Sequence, residues 1–146
     1  MQIEGRIDSG WMEPKVVIHT DRMTDEIQEL VRRLSDSAPQ LLAGFRDGDV
    51  RILEQSAICR AYAREGKDYA VTDEGEHRLR LRLYELEERL DRASFVRISN
   101  AEIINLRHVK CFDLSYTGTI CVRFLNGAET YVSRRYVKKI RQTLGI

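Results

Sequence analysis

The 146-residue chain contains no apolar run near the ~20 residues a membrane-spanning helix needs, so no membrane insertion is expected. Its first residues, MQIEGRIDSGWMEP, have neither a basic n-region nor an apolar h-region; they are not a secretory signal, and the expected location is cytoplasmic. Cysteine is scarce. Cys59, Cys111 and Cys121 are odd in number, sit in apolar contexts and form no C-x-x-C pair, which points to reduced thiols. His19, His77 and His108 lie far apart without metal-ligand spacing. P-loop, G-x-G-x-x-G and G-x-S-x-G motifs are missing. Glu87-Glu88, beside leucines on a short helix, reads as a solvated face. No enzyme activity, cofactor or metal is therefore expected. A phosphorylation-switch receiver needs about five βα units, and only about 36 residues of strand and helix precede the β-rich part. Asp47 and Asp49 flank a turn glycine and read as turn-formers, not phosphoacceptors. Internal repeats, low-complexity tracts and flexible linkers are also missing.

What is there is a divided charge. From Arg97 to Arg141 nine bases face three acids, a net of +6. The other 15 bases and 20 acids leave −5, so the total of +1 conceals a basic C-terminal third. Such asymmetry marks a polyanion-binding surface. Its sharpest stretch is Ser133-Arg134-Arg135-Tyr136-Val137-Lys138-Lys139-Ile140. Ser133 is placed to cap a helix through its hydroxyl, and Val137, Ile140 and Leu144 fall at helical spacing as a buried stripe. Arg134 and Arg135 then sit in the first turn, where the helix dipole disfavours cations by roughly 0.3–1 kcal/mol. A phosphate arriving there would meet free N–H groups, the dipole and two guanidiniums together.

Along the chain, Met1–Ile7 reads as an edge strand and Lys15–Thr20 as a β-branched strand. Thr24 caps a helix whose Ile27, Leu30, Val31 and Leu34 form one apolar face, ended by Ser37-Ala38-Pro39. From Gln40 the texture becomes short strands and turns. Turns are expected at Asp47-Gly48-Asp49, Glu65-Gly66-Lys67-Asp68, Asp73-Glu74-Gly75, Gly118 and Asn126-Gly127. Residues 78–83 alternate arginine and leucine as a strand with one basic face, and Leu83–Leu90 is a short helix. Strands are expected at Phe95–Ile98, Glu102–Asn105, Val109–Leu114, Thr119–Phe124 and Glu129–Val132.

Nucleic-acid binding fits this pattern. Arg97, Arg134, Arg135, Lys138 and Lys139 are candidate phosphate contacts, and Lys67 stands at a hairpin tip. Asn100, in Ser99-Asn100-Ala101, is of a type that pairs bidentately with adenine, as arginine does with guanine; an Asx turn is its plainer reading. RNA binding through stacked aromatics is disfavoured, because Tyr116, Tyr131 and Tyr136 are scattered. The rival class is a protein-interaction module whose basic face meets an acidic partner.

Phe95-Val96-Arg97, Ile103-Ile104-Asn105-Leu106 and Ser133-Arg134-Arg135, in that order and preceded by LYELEERL at 83–90, resemble the LytTR family of bacterial DNA-binding transcription regulators. The likeness covers roughly residues 45–143. It implies an α+β, β-rich domain of small antiparallel sheets with short helices, residues 45–146, after a strand–helix extension, residues 1–44. It also implies double-stranded DNA as partner, read by loops around Lys67, around Ser99-Asn100, and around Ser133-Arg134-Arg135. Many members have histidine-arginine-serine where this chain has Ser99-Asn100-Ala101, which leaves that loop's base contact open. Typical members carry a receiver; this chain resembles a compact stand-alone type, with Met12-Glu13-Pro14-Lys15-Val16-Val17-Ile18 and the Thr24–Leu34 helix upstream. That extension is the candidate for homodimerisation or for docking an upstream signalling partner.

Overall fold

A computed structural model describes residues 1–10, 15–35 and 41–146. The chain divides into two compact units, Met1–Ser37 and Ala38–Ile146.

In the first unit the regular element is helix α1, Asp25–Ser35. Thr24 caps it as expected: its Oγ1 accepts from the Ile27 N–H at 3.3 Å. Glu29 accepts from Arg32 and Arg33 one turn on, and the Arg32 hydrogen bond, then Arg33, hold its carboxyl down at about 2. The strands expected at 1–7 and 15–20 do not form; residues 1–8 and 15–20 have no regular structure. A strand needs a neighbour to take its N–H and C=O groups, and neither segment finds a ladder partner among the described residues. Val16 and Val17 stay exposed. Met12–Pro14 and the Ser37–Pro39 stop lie outside the described residues.

The second unit is a β structure with two helices. Its strands are β1 Leu42–Arg46, β2 Asp49–Leu53, β3 Arg60–Arg64, β4 Lys67–Thr72, β5 Gly75–Leu79, β6 Phe95–Ser99, β7 Glu102–Asn105, β8 Val109–Asp113, β9 Ile120–Phe124 and β10 Glu129–Val132. Helix α2 spans Leu83–Arg89 and α3 Arg134–Leu144. Seven strands join in the order β2-β1-β5-β4-β3-β7-β6, and three in the order β10-β9-β8, every pair antiparallel. The larger sheet thus merges hairpins that the local sequence shows only as separate pairs. Because β1 begins at Leu42, a boundary after residue 44 would cut it.

Local chemistry sets the hairpins. Glu65 and Gly66 both take positive φ, 52° and 76°, and Arg64 faces Lys67 in register. A two-residue turn with that geometry matches strand twist, and glycine adopts its second position without strain. Gly44 is required for space: a Cβ there would stand 2.8 Å from both the His77 Cβ and a Leu53 methyl.

The alternating stretch is divided differently from the expectation. β5 stops at Leu79, and Leu83 opens α2. The Glu85 carboxylate accepts from the Arg82 N–H at 3.3 Å, fastening the turn before the helix. Arginines alternate outward and leucines inward through Leu83, so burial keeps its period where hydrogen bonding does not.

Two cores result. Leu83 and Leu86 of α2 and its C-cap Leu90 pack on Leu42, Leu53, Ala61, Ala70, Leu79 and Ile103 of the large sheet. Fully burying one such leucine is worth roughly 1.5–3 kcal/mol. On the opposite face, Val96, Ile98 and Ile104 pack against Ile120, Val122, Phe124 and Val132, closed by Ile140 of α3. Val137 and Leu144 pack on this cluster too, so the expected α3 stripe is the buried one. The rest of that face is crossed by a register row Val50, Phe45, Arg78, Tyr69, Tyr62, Glu102 and Ser99.

Two buried polar side chains bear on stability. The Asn105 amide donates to the Ile58 carbonyl at 2.9 Å and accepts from the Arg107 N–H at 3.0 Å. His77 pairs with Thr72 Oγ1 through Nε2 at 3.0 Å; its Nδ1 is buried without a partner among the described residues. Burial, and then the Arg46 guanidinium, push its pKa below the ordinary imidazole value.

Candidate nucleic-acid interface

Three of the singled-out stretches stand at one end of the large sheet. β5 ends, β4 begins, β3 ends, β7 begins and β6 ends there, because Asp68 pairs with Leu79, Arg64 with Lys67, Tyr62 with Glu102, and Ser99 with Glu102. The β3–β4 turn is tied to the β6–β7 turn through the Ala63 N–H, which donates to the Ala101 carbonyl at 2.8 Å. The start of α3 joins the same edge: the Ser133 N–H donates to Ile98 C=O at 2.9 Å, and the Tyr136 hydroxyl donates to Asn100 Oδ1 at 3.2 Å.

Asn100 is exposed. Its Oδ1 retains a second lone pair, and its amide N–H groups have no partner among the described residues. A register shift between Arg97 and Ser99 bends β6 just before this turn, as a bulge does when it re-aims a side chain.

Arg97, a phosphate candidate from the sequence, faces inward. Its guanidinium donates to Ser99 C=O at 2.8 Å, to Asn100 C=O at 2.5 Å and to Glu87 at 2.8 Å, and its side chain is only 14% exposed. It stitches the loop backbone to α2. Ser99 is similarly occupied, its Oγ accepting from the Ala101 N–H at 3.1 Å.

α3 presents a continuous cationic ridge. Arg135, Lys138 and Lys139 recur at i, i+3 and i+4, diametrically across the helix from the buried Val137–Ile140–Leu144 stripe. None of them, nor Arg134 or Lys67, has an ion-pair partner among the described residues. Arg134 lies over the β8–β9 loop: a Cβ on Gly118 would be 3.6 Å from its Nε. Ser133 occupies the N-cap position, but its hydroxyl makes no capping bond, contrary to expectation; the helix is entered through the Tyr136 N–H to Ser133 C=O bond at 2.9 Å.

Tyr136 joins the site through its hydroxyl, a role distinct from aromatic stacking; its place beside the helix stripe is the sequence signal for it. Metal-ligand clusters do not occur among the described residues, and none of the described helices is long and apolar enough to cross a membrane.

A β-built domain that aligns basic loops and a terminal helix on one edge defines a class of DNA-binding module, and the LytTr DNA-binding domain matches residues 48–145. The chain belongs to that family. A Staphylococcus aureus protein (strain NCTC 8325 / PS 47), named an uncharacterised HTH-type transcriptional regulator, is 31% identical over 147 residues, covering 100% of this chain and 99% of its own. A counterpart from strain MRSA252, named likewise, is 30% identical with the same coverage. A solved LytTr DNA-binding domain from Bacillus cereus superposes with a TM-score of 0.70 at 24% identity, over 73% of this chain and 97% of that one, and shares its fold. The names of the relatives specify a helix-turn-helix. Among the described residues here no helix follows another: five strands separate α1 from α2, and five separate α2 from α3.

Proposed function

We propose that the chain is a transcription regulator that binds double-stranded DNA sequence-specifically through the loop edge of its large sheet and through α3. The observation that carries this is the Tyr136–Asn100 hydrogen bond. It couples a loop whose amide is free to hydrogen-bond a base to a helix whose outer ridge carries Arg135, Lys138 and Lys139. Asn100 and Arg135 read base edges in the major groove, and Lys67 stands at the far end of the same edge. Arg134, Lys138, Lys139 and the Ser133 backbone end of α3 anchor phosphates. Arg97 and Ser99 act at one remove, holding the Asn100 loop in shape.

Dimensions support the same reading. From β5 to β6 the edge crosses four strand spacings, roughly 19 Å, and α3 adds about 10 Å. The span approaches one turn of B-DNA, about 34 Å, so loops at its two ends would meet successive grooves on one side of the duplex. Selection of bound duplexes from a random library tests this: one short motif should be enriched, with affinity falling steeply with salt as counterions leave. Sequence-blind or undetectable binding at low salt would favour the alternative, a module for an acidic protein partner.

The N-terminal unit is proposed as the dimerisation or docking element. α1 leaves Val31 and Leu34 about 40% exposed along its apolar face, and such a face gains by meeting another surface. A chain lacking residues 1–36 should sediment as a smaller species than the full chain; an unchanged association state excludes dimerisation through this unit.

A further inference from the structure

A cleft of about 380 Å³ opens beside the β3–β4 turn, lined by Phe45, Lys67, Asp68, Arg78, Arg80 and Arg82 among others. Its four cations face one carboxylate, and that carboxylate is already used. Asp68 is buried and holds Arg82 at 3.1 Å, while the same Arg82 nitrogen donates to Gly66 C=O at 2.9 Å. Arg82 is thus the strut that fixes the turn and, with it, the start of Lys67. The other three cations have no acidic partner among the described residues. Arg80 stands over Phe45, its guanidinium carbon 4.4 Å from the ring centre, a contact that limits its rotamers. Arg78 stands beside it in the register row, facing Phe45 on one strand and Tyr69 on the other. Three like charges converging on one concave surface repel each other, and an anion removes that cost.

We infer that Lys67, Arg78 and Arg80 form a phosphate cradle that takes a backbone phosphate of the bound duplex, on the flank remote from α3. The inference rests on the reading proposed above and adds to it a second anchor built on the sheet. The cleft lies two strands from β3, itself tied to the Asn100 loop. Three spacings from β7 to β5 make roughly 15 Å, close to half a helical turn. A duplex lying along the edge would therefore bring its backbone over the cleft. Planar guanidiniums suit the forked oxygens of a phosphodiester, and Lys67 adds a point charge at the rim. Because Arg78 and Arg80 lie in the chain's acid-rich part, charge counting alone hides them.

The test is a salt-titrated affinity series on the duplex the full chain selects from a random library. It compares wild type, the Arg78→Gln/Arg80→Gln pair and the Arg78→Lys/Arg80→Lys pair. Both positions are exposed, and thermal melting controls for folding. The Gln pair should bind roughly tenfold more weakly at physiological salt, with the log–log salt slope smaller by about 0.9, one phosphate contact's worth. The Lys pair should restore most of the slope. Trimming about six base pairs from the end nearer the cleft should bring wild type down to the Gln pair. If wild type selects a motif and the Gln pair keeps both affinity and slope, the cradle is wrong while the functional reading stands. Shifts of the Arg80 signals on adding inorganic phosphate, with an unchanged duplex slope in the Gln pair, would mark a small-anion site and overturn the duplex assignment. If wild type selects no motif, the functional reading falls and the cradle with it.

Discussion

Replacing Lys138 and Lys139 together by glutamate is expected to weaken duplex binding roughly 100-fold at physiological salt. Both lysines project from the ridge of α3 opposite its buried stripe and have no acidic partner among the described residues. Each removed phosphate contact lowers the salt slope by about 0.9, so the pair should flatten it by nearly 2. The new carboxylates then repel the backbone as well. The loss should be alike for the selected motif and for unrelated duplexes, because phosphate contacts position the protein without reading sequence. Glutamine at both positions should fall between wild type and the charge reversal. Fluorescence anisotropy against salt checks each arm. Folding should be unaffected, since surface changes away from caps and cores lie within about 0.5 kcal/mol. A reversal that leaves affinity within a few-fold of wild type would remove α3 from the interface.

Asn105→Ala is expected to cost the β unit about 2–4 kcal/mol. The side chain is 1% exposed and satisfies two groups at once, the Ile58 carbonyl ahead of β3 and the Arg107 N–H after β7. Its backbone also donates to Cys59 C=O at 3.0 Å. Truncation leaves a buried carbonyl and an N–H unpaired, each worth about 1–3 kcal/mol, partly offset where water enters. Aspartate is no rescue: it cannot donate to Ile58 and would bury a charge. Urea denaturation followed by circular dichroism should show the midpoint falling for both variants. A loss under about 1 kcal/mol would mean the amide is dispensable. A loss of the expected size means that the Ile103–Leu106 motif owes its asparagine to architecture and not to DNA.

How far the sequence revealed this molecule depends on the range of the forces involved. Turns at Asp47-Gly48, Glu65-Gly66 and Asn126-Gly127 were legible because positive φ is a property of one or two residues. The α3 stripe was legible because a single helix period fixes it. The order β2-β1-β5-β4-β3-β7-β6 was not, since pairing β1 with β5 joins residues more than 30 apart and no local pattern encodes it. The expected strand at Lys15–Thr20 had the right residues, but β propensity is realised only against a partner. Arg97 and Arg134 read alike in the sequence. What separates them is Glu87, ten residues upstream and brought close by α2. Lys67, Asn100 and Arg135 each stand out singly by their chemistry; their shared edge comes from the sheet. Arg78 and Arg80 share one basic face in the sequence, but their meeting with Lys67 around one cleft belongs to the tertiary structure.

The central claim is that the Asn100 loop reads bases while Tyr136 holds it against α3. Its most direct test repeats the random-library selection with Asn100→Ala beside wild type. The variant should still bind duplex, with a salt slope close to wild type's, and should select the same motif degenerate at one or two adjacent positions. An identical motif from both proteins, at equal information at every position, would contradict the claim.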